Sequence, residues 1–200
     1  MPLELPVAGG TAPKEREDAA RNRARVTEAA ARLFRDCEDP ARVDMRAIAA
    51  EAGVGVGTLY RRFGDKTSLA VSVLDERARE LQEAILTGPP PLGPGAPPQE
   101  RLEAFLRALV DHMERELDVM YAIEMLGGFG LGPYSAWRLH LRVLAGEVAP
   151  GFDADWLAEA LLAPLAPPLY RHQRRDRGVT TDEIKQQLTK LARAVYGSRA

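Results

Sequence analysis

Three features of this sequence predict an all-α fold. Apolar residues recur at three- and four-residue spacing, Ala and Leu are plentiful while β-branched residues are scarce, and no stretch alternates apolar and polar over strand length. Val26, Ala29, Ala30, Leu33, Phe34 and Cys37 share one face and predict a first helix over about Asp18–Asp36, with Arg21, Arg25, Arg32 and Arg35 off the stripe. Glu38-Asp39-Pro40 stops it, because proline and the residue before it resist helical geometry. Asp44 is placed to cap a short helix carrying Met45, Ile48, Ala49 and Ala52, and Gly53 ends it where a left-handed residue costs least. Val56–Phe63 form another short helix closed by Gly64, and Asp65 caps a longer one through Leu69, Val73, Leu74, Ala78, Leu81 and Ile85.

Between Gly88 and Pro98 stand six prolines and three glycines in eleven residues, which predicts a stiff, partly extended connector. Leu102, Phe105, Leu106, Leu109 and Met113 restore the helical period, continued by Leu117, Met120 and Tyr121. The run Gly127–Pro133 breaks the chain again, with Phe129 and Leu131 expected to point inward. Helices follow over about Ser135–Val148 and from Asp153 through Leu162, the latter interrupted or bent near Pro164, Pro167 and Pro168. Thr180 and Glu183 make a capping box for a last helix carrying Ile184, Leu188, Leu191 and Val195. Residues 1–13 are expected to be a disordered tail.

Composition bounds the function. In 200 residues, 46% are hydrophobic and 28% charged, a balance that supports a core without staples. The single cysteine, Cys37, excludes an intrachain disulfide and a four-cysteine zinc site. No uncharged apolar run reaches membrane-spanning length and no apolar signal segment follows Met1, so a cytoplasmic protein with no membrane association is expected. The formal charge of −2 hides an asymmetry: residues 14–66 hold 12 basic and 10 acidic side chains, the remainder 15 and 19. A basic segment averaged over an acidic body leaves a nucleic-acid partner open.

The most informative block is Met45–Lys66. It reads as two short helices around the Gly53 turn, with Ile48, Ala49, Ala52, Val54, Leu59 and Phe63 available to pack inward. Small alanines let the helices cross closely, as a helix-turn-helix requires. The opposite side of the second helix offers Val56, Gly57, Thr58, Arg61 and Arg62, and its start has little bulk, which suits approach to a DNA groove. The block resembles the DNA-binding signature of the TetR family of transcriptional regulators: Ala-Gly-Val, a small pair, Gly-Thr-Leu-Tyr, a basic residue, Phe and Lys are matched by Ala52 through Lys66. The resemblance is specific over about Ala24–Leu86 and architectural beyond it.

The resemblance implies an N-terminal three-helix DNA-binding domain at 14–64, joined to a helical ligand-binding and dimerisation domain at 65–200. Val56, Gly57 and Thr58 match positions that reach base edges, Tyr60 a phosphate-contacting tyrosine, and Lys66 the lysine at the start of the fourth helix. Arg61 and Arg62 occupy backbone-facing places, and Arg46 beside the Asp44 cap is a further phosphate candidate. Gly55 departs from the pattern, where Ser is common, so a contact there is through backbone alone. Arg16, Arg21, Arg23 and Arg25 could extend the footprint as an arm, diluted by Glu15, Glu17 and Asp18. The partner implied is a near-palindromic double-stranded operator.

In the second half His112, Met113, Tyr121, Glu124, Met125, Phe129, Trp137 and His140 are candidate pocket residues, together with Met120 and Tyr134. Their mix of apolar walls and few polar anchors suits a small-molecule effector of apolar or aromatic character. Trp156, Leu157, Leu161, Leu165, Leu169, Ile184, Leu188 and Leu191, on helices over about Asp153–Gln173 and Thr181–Val195, exceed what a lone hairpin buries and are the candidate homodimer interface. His112, Glu116, Glu124 and His140 are too scattered for a metal site, the Gly128–Gly132 repeat lacks the strand of a dinucleotide fingerprint, and no nucleophile has an evident His-Asp partner. No catalytic residue and no cofactor is expected. The expectation is a ligand-released repressor; the alternative is a helical ligand-binding or scaffolding protein that does not bind DNA.

Overall fold

The computed structural model describes residues 13–128 and 130–197, with side chains from Asp18 onward. The described residues form α1 (Pro13–Asp36), a 3-10 turn (Pro40–Arg42), α2 (Met45–Ala52), α3 (Val56–Phe63), α4 (Lys66–Thr87), α5 (Pro98–Met125), α6 (Tyr134–Val148), α7 (Ala154–Leu162), α8 (Pro167–Arg171) and α9 (Thr181–Gly197), with no strand among them. The expected tail over 1–12 lies outside the described residues. Pro13 belongs to α1, which starts five residues before the Asp18 expected from the apolar stripe. A first turn of Lys14, Glu15, Arg16 and Glu17 leaves no apolar signal in the sequence, and proline suits a helix start because its missing N–H would have no intrahelical partner there.

The helix starts follow local chemistry. Asp44 accepts from the Arg46 amide at 3.0 Å, Asp65 from Ser68 at 2.7 Å and Asp153 from Trp156 at 2.8 Å. Thr180 and Glu183 form the reciprocal capping box, with Glu183 N to Thr180 Oγ1 at 3.2 Å and Thr180 N to Glu183 Oε2 at 2.8 Å.

One segment differs from expectation. The 88–97 connector is folded into turns rather than extended: the Gly93 amide donates to the Pro89 carbonyl at 3.0 Å, and Leu92 packs against the core. Pro98 is not part of it but opens α5 as a first-turn proline. The span 153–173, expected to be interrupted or bent at its prolines, is interrupted, and the form of the break is what the sequence left open. After α7 come a 3-10 turn (Ala163–Leu165), an extended Ala166 with ψ 128°, the five-residue α8 and a π-turn (His172–Asp176). Pro164, Pro167 and Pro168 withhold the amide donors that a continuous helix would need.

One continuous core runs through the described residues. Helix α5 is its axis and touches α1, the 40–42 turn, α4, α6, α8 and α9. Paired charges fix the C-terminal elements to it. Arg174 grips Glu114 with two bonds of 2.8 and 2.7 Å, and Arg193 grips Glu103 at the same two distances. Each arginine holds its carboxylate partner below the usual carboxyl range, and Tyr170 and Tyr196 add phenol donors to the same two groups.

Candidate nucleic-acid interface and ligand cavity

The reading head is built around the turn between α2 and α3. Ile48, Ala49 and Ala52 on α2 and Leu59 and Phe63 on α3 are buried, against Val26, Ala30 and Phe34 of the same core. Gly53 joins the helices at φ +63°, and its amide donates to the Ala50 carbonyl at 3.1 Å. Arg25 donates from Nη2 to the Ala52 carbonyl at 2.7 Å and so closes the end of α2.

With Leu59 and Phe63 turned inward, Val56, Gly57, Thr58, Tyr60, Arg61 and Arg62 are exposed together, and Arg46 is exposed on α2. Gly55 precedes α3 in an extended conformation and supplies no side-chain cap, so the first α3 amides are not covered by a hydroxyl. A Cβ at Gly57 would meet open space, so α3 is accessible along its leading edge. Lys66 is placed differently: it is half-buried, and its ammonium donates to the Ala41 carbonyl, holding the 40–42 turn. Of the suggested arm, Arg25 is spent on Ala52, Arg23 donates to Ser72 Oγ on α4 at 2.6 Å, and Arg21 pairs with Asp18 at 2.5 Å. Arg23 and Arg25 are tied into the fold, whereas Arg21 stays exposed beside Asp18 of its own helix; the side chain of Arg16 lies outside the described ones.

The body encloses a cavity of about 350 Å³ between α4, α5, α6, α7 and the 127–133 loop. Met113, Met120, Ile123 and Glu124 face it from α5, Leu74 from α4, Tyr134 and Trp137 from α6, and Glu159 and Leu162 from α7. Gly128 lets the loop fold back on α5, since a Cβ there would stand 2.7 Å from Ile123 Cγ2. The loop also rests on α4: a Cβ at Gly132 would lie 3.5–3.8 Å from Asp75, Leu74 and Val71.

Among the expected pocket residues, Met113, Met120, Glu124, Tyr134 and Trp137 line this cavity. His112, Tyr121, Met125 and His140 do not, because α5 and α6 turn them to other faces. His112 is buried behind the wall, with its ring edge-on to Trp137 at 5.2 Å. His140 packs edge-on against Phe105 at 4.8 Å, Tyr121 lies beneath the Arg171 guanidinium at 4.9 Å, and Met125 is exposed. Burial holds both histidines neutral, lowering each pKa to about 4, with Arg115 acting in the same direction on His112 and Arg101 on His140. Phe129 lies outside the described residues, and Leu131 is half-exposed at the cavity edge rather than inward. Leu74, Leu109, Glu159 and the 162–167 segment are lining residues that sequence reasoning missed. Leu74, Glu159 and the 162–167 segment sit in other elements, which no spacing within one helix announces, whereas Leu109 stands one turn before Met113 on α5, a spacing that could have found it.

The candidate dimer residues divide. Leu157, Leu161, Leu165, Ile184 and Leu188 are buried in the single chain, with α9 lying along α5 and Leu165 forming part of the cavity wall. They are not available to a second subunit. Trp156 is 65% exposed, and Leu169 and Leu191 are also open to solvent. Further exposed apolar side chains lie on the packed α6–α7 pair and its connection: Leu139 and Val143, one turn apart on α6, Phe152 in the connection and Trp156 on α7. Among the described residues no helix is long and apolar enough to cross a membrane.

A three-helix head carrying an exposed second short helix, set on a helical body with a mostly apolar cavity, defines a helix-turn-helix fold. Comparison with known proteins places it further. Residues 26–73 match the family model for bacterial regulatory proteins of the tetR family. A helix-turn-helix-type transcriptional regulator of Staphylococcus aureus (strain USA300) is 48% identical over 59 residues, which is 30% of this chain and 31% of the relative's length. The similarity in sequence is thus confined to the head. The fold extends it: a TetR-like regulator from Rhodococcus sp. RHA1 superposes with a TM-score of 0.60 at 20% identity, covering 89% of this chain and 97% of its own. The secondary repressor of the MexAB-OprM multidrug efflux pump of Pseudomonas aeruginosa gives a TM-score of 0.60 at 19% identity, over 92% of this chain and 100% of its own. Residues 26–73 thus resemble the DNA-binding region of the tetR family in sequence, and the chain as a whole shares its fold with TetR-like regulators.

Proposed function

We propose that this protein is a sequence-specific DNA-binding transcriptional regulator that represses as a homodimer and leaves a near-palindromic operator when a small molecule occupies the cavity. The exposed face of α3 carries the reading. Its outward residues are small, polar, aromatic or basic, with no acid among them, while its inward residues are locked in the core. Thr58 can bond a base edge and Val56 can touch a thymine methyl. Tyr60, Arg61, Arg62 and Arg46 would meet phosphates, and the amides at Gly55–Gly57 add donors there. Lys66 acts by holding the 40–42 turn, with its contact to DNA secondary.

The cavity supports the regulatory half of the reading. Leu74 of α4 is in its wall and the 127–133 loop leans on the same helix, which starts at Lys66 directly after the head. A ligand that prefers one placement of α4 would change the separation of two heads in a dimer, with a coupling of about 1–3 kcal/mol. The subunit contact is assigned to the exposed apolar side chains of the α6–α7 pair and its connection rather than to the buried leucines of α7 and α9.

Fluorescence anisotropy with the DNA upstream of the gene tests the reading. A sequence-preferring complex that weakens steeply with salt is expected, because phosphate contacts release counterions. Thr58→Ala should cost about 1–3 kcal/mol at particular base pairs and little at others. If no sequence-preferring complex forms at low salt, the scaffolding alternative takes its place.

A further inference from the structure

We propose that the cavity selects amphipathic organic cations: a protonated amine or quaternary ammonium carried on an apolar body of one or two rings. The inference rests on the effector reading only for its consequence at DNA; the binding preference follows from the cavity itself.

Among the described residues, every ionisable carboxyl, ammonium, guanidinium or imidazole on the wall is a carboxylate. Glu124 comes from α5 and Glu159 from α7, and no lysine, arginine or histidine faces the space. The phenol of Tyr134 is also on the wall; its titration is pushed up first by burial and then by the Glu159 charge, with the Arg138 charge opposing and Glu124 adding to the rise, so two carboxylates and one guanidinium lie within electrostatic reach of it. The adjacent guanidinium, Arg138, is committed to Asp155 at 2.5 Å and reaches Glu159 only at 3.7 Å. Glu124 is half-buried and Glu159 is 60% exposed, so the negative potential lies toward the rim. Below it the walls are hydrocarbon, thioether and indole: Leu74, Leu109, Met113, Met120, Ile123 and Trp137.

That distribution fits one ligand architecture. An apolar body desolvates against the lower wall, and a cationic group stays between the two carboxylates and the Tyr134 ring, with charge and quadrupole attraction acting together. A neutral ligand of the same shape gains only the apolar contact. A carboxylate or sulfonate head would sit among like charges, which disfavours it.

Isothermal titration of the full chain with three probes of one shape tests this: para-butylbenzyltrimethylammonium, para-butylbenzyl alcohol and para-butylbenzoate. The ammonium ion is expected to bind about tenfold or more tighter than the alcohol, with the benzoate weakest. In a Glu124→Gln, Glu159→Gln double variant the cation and the alcohol should bind alike, while alcohol affinity stays within about twofold of the parent and so reports an intact cavity. The inference is overturned if the parent binds alcohol or benzoate as tightly as the cation, if the cation does not bind, or if the double variant keeps the preference. The same probes added to the DNA complex separate the two readings. A cation that binds with this preference and leaves the complex intact sinks the effector role alone. Release of DNA by alcohol or benzoate at lower concentration than by the cation sinks the selectivity and leaves the effector role standing.

Discussion

His112 is 1% exposed, edge-on to Trp137, and its Nε2 has no hydrogen-bond partner. Its pKa falls from 6.5 to about 4 on folding because burial, and then the Arg115 charge, disfavours the protonated ring. Between these values the unfolded chain binds a proton that the folded chain refuses, so stability is full above pH 6.5 and is lost as pH falls toward 4. The loss is on the order of 3 kcal/mol for this one group. His140 acts in the same window and with the same sign. Glu103 and Glu114, held down by Arg193 and Arg174, add their loss only lower, below the ordinary carboxyl range. Chemical denaturation across this pH range should therefore show stability falling before Glu103 and Glu114 titrate. His112→Phe, which keeps an aromatic ring against Trp137, should flatten that upper part of the slope; an unchanged slope would assign it to other groups. The residue scale also separates cations that look alike in sequence. Arg61 and Arg62 are exposed on α3, whereas Arg25 and Lys66 are tied to the carbonyls of Ala52 and Ala41.

The element that tolerates least is the α2–α3 turn. Gly53 sits at φ +63°, and a Cβ there would lie 2.7 Å from Arg25 Nη2. Gly53→Ala therefore combines a left-handed penalty of roughly 1–2 kcal/mol with displacement of the guanidinium that closes α2. Thermal unfolding should show a lower midpoint, and operator affinity should fall although no DNA contact is removed. Full retention of both would mean that the turn relaxes without cost. This turn was legible in the sequence because its determinants are local: an Asp cap, a glycine where the backbone turns left-handed, and apolar residues at helical spacing. The capping box before α9 was legible for the same reason. The form of the 153–173 break was not, since the prolines mark a disturbance without saying that the chain extends at Ala166. Nor could amphipathic stripes say what covers them: Ile184 and Leu188 meet α5 of their own chain, not a second subunit. The cavity was half legible. Met113, Met120, Glu124, Tyr134 and Trp137 faced it as expected, but the turn of α5 carried His112 and Tyr121 away, and Glu159 arrives from a helix more than thirty residues later in the chain.

Head and body are joined by more than the run of α4. Arg77 on α4 bonds Glu116 of α5 at 3.0 and 3.2 Å and reaches Glu28 of α1 at 3.5 Å, so one guanidinium links the head, the connecting helix and the axis of the body. Arg171 on α8 adds a bond to the Glu38 carbonyl at 3.4 Å. A displacement of α4 by a ligand beside Leu74 must therefore move or break contacts that reach α1, which is the physical route from cavity to reading head. For that motion to matter at DNA, two heads must be held at a fixed separation, since a recognition helix reads one half-site and a symmetric operator presents a second one about a helical turn away. Leu139, Val143, Phe152 and Trp156 are the exposed apolar side chains assigned to hold them, on a pair of helices and its connection stiffened by Arg138 and Arg142 against Asp155 at 2.5 and 3.4 Å. A charge placed among them would be desolvated on pairing and is expected to dissociate the dimer. Val143→Glu lies on an exposed face, so it should leave the monomer folded. Sedimentation velocity should then give a monomer where the parent gives a dimer. Affinity for a half-site should be unchanged, and affinity for the full operator should drop to the half-site value. A Val143→Glu protein that remains dimeric moves the subunit contact to the Leu169 and Leu191 side of the molecule.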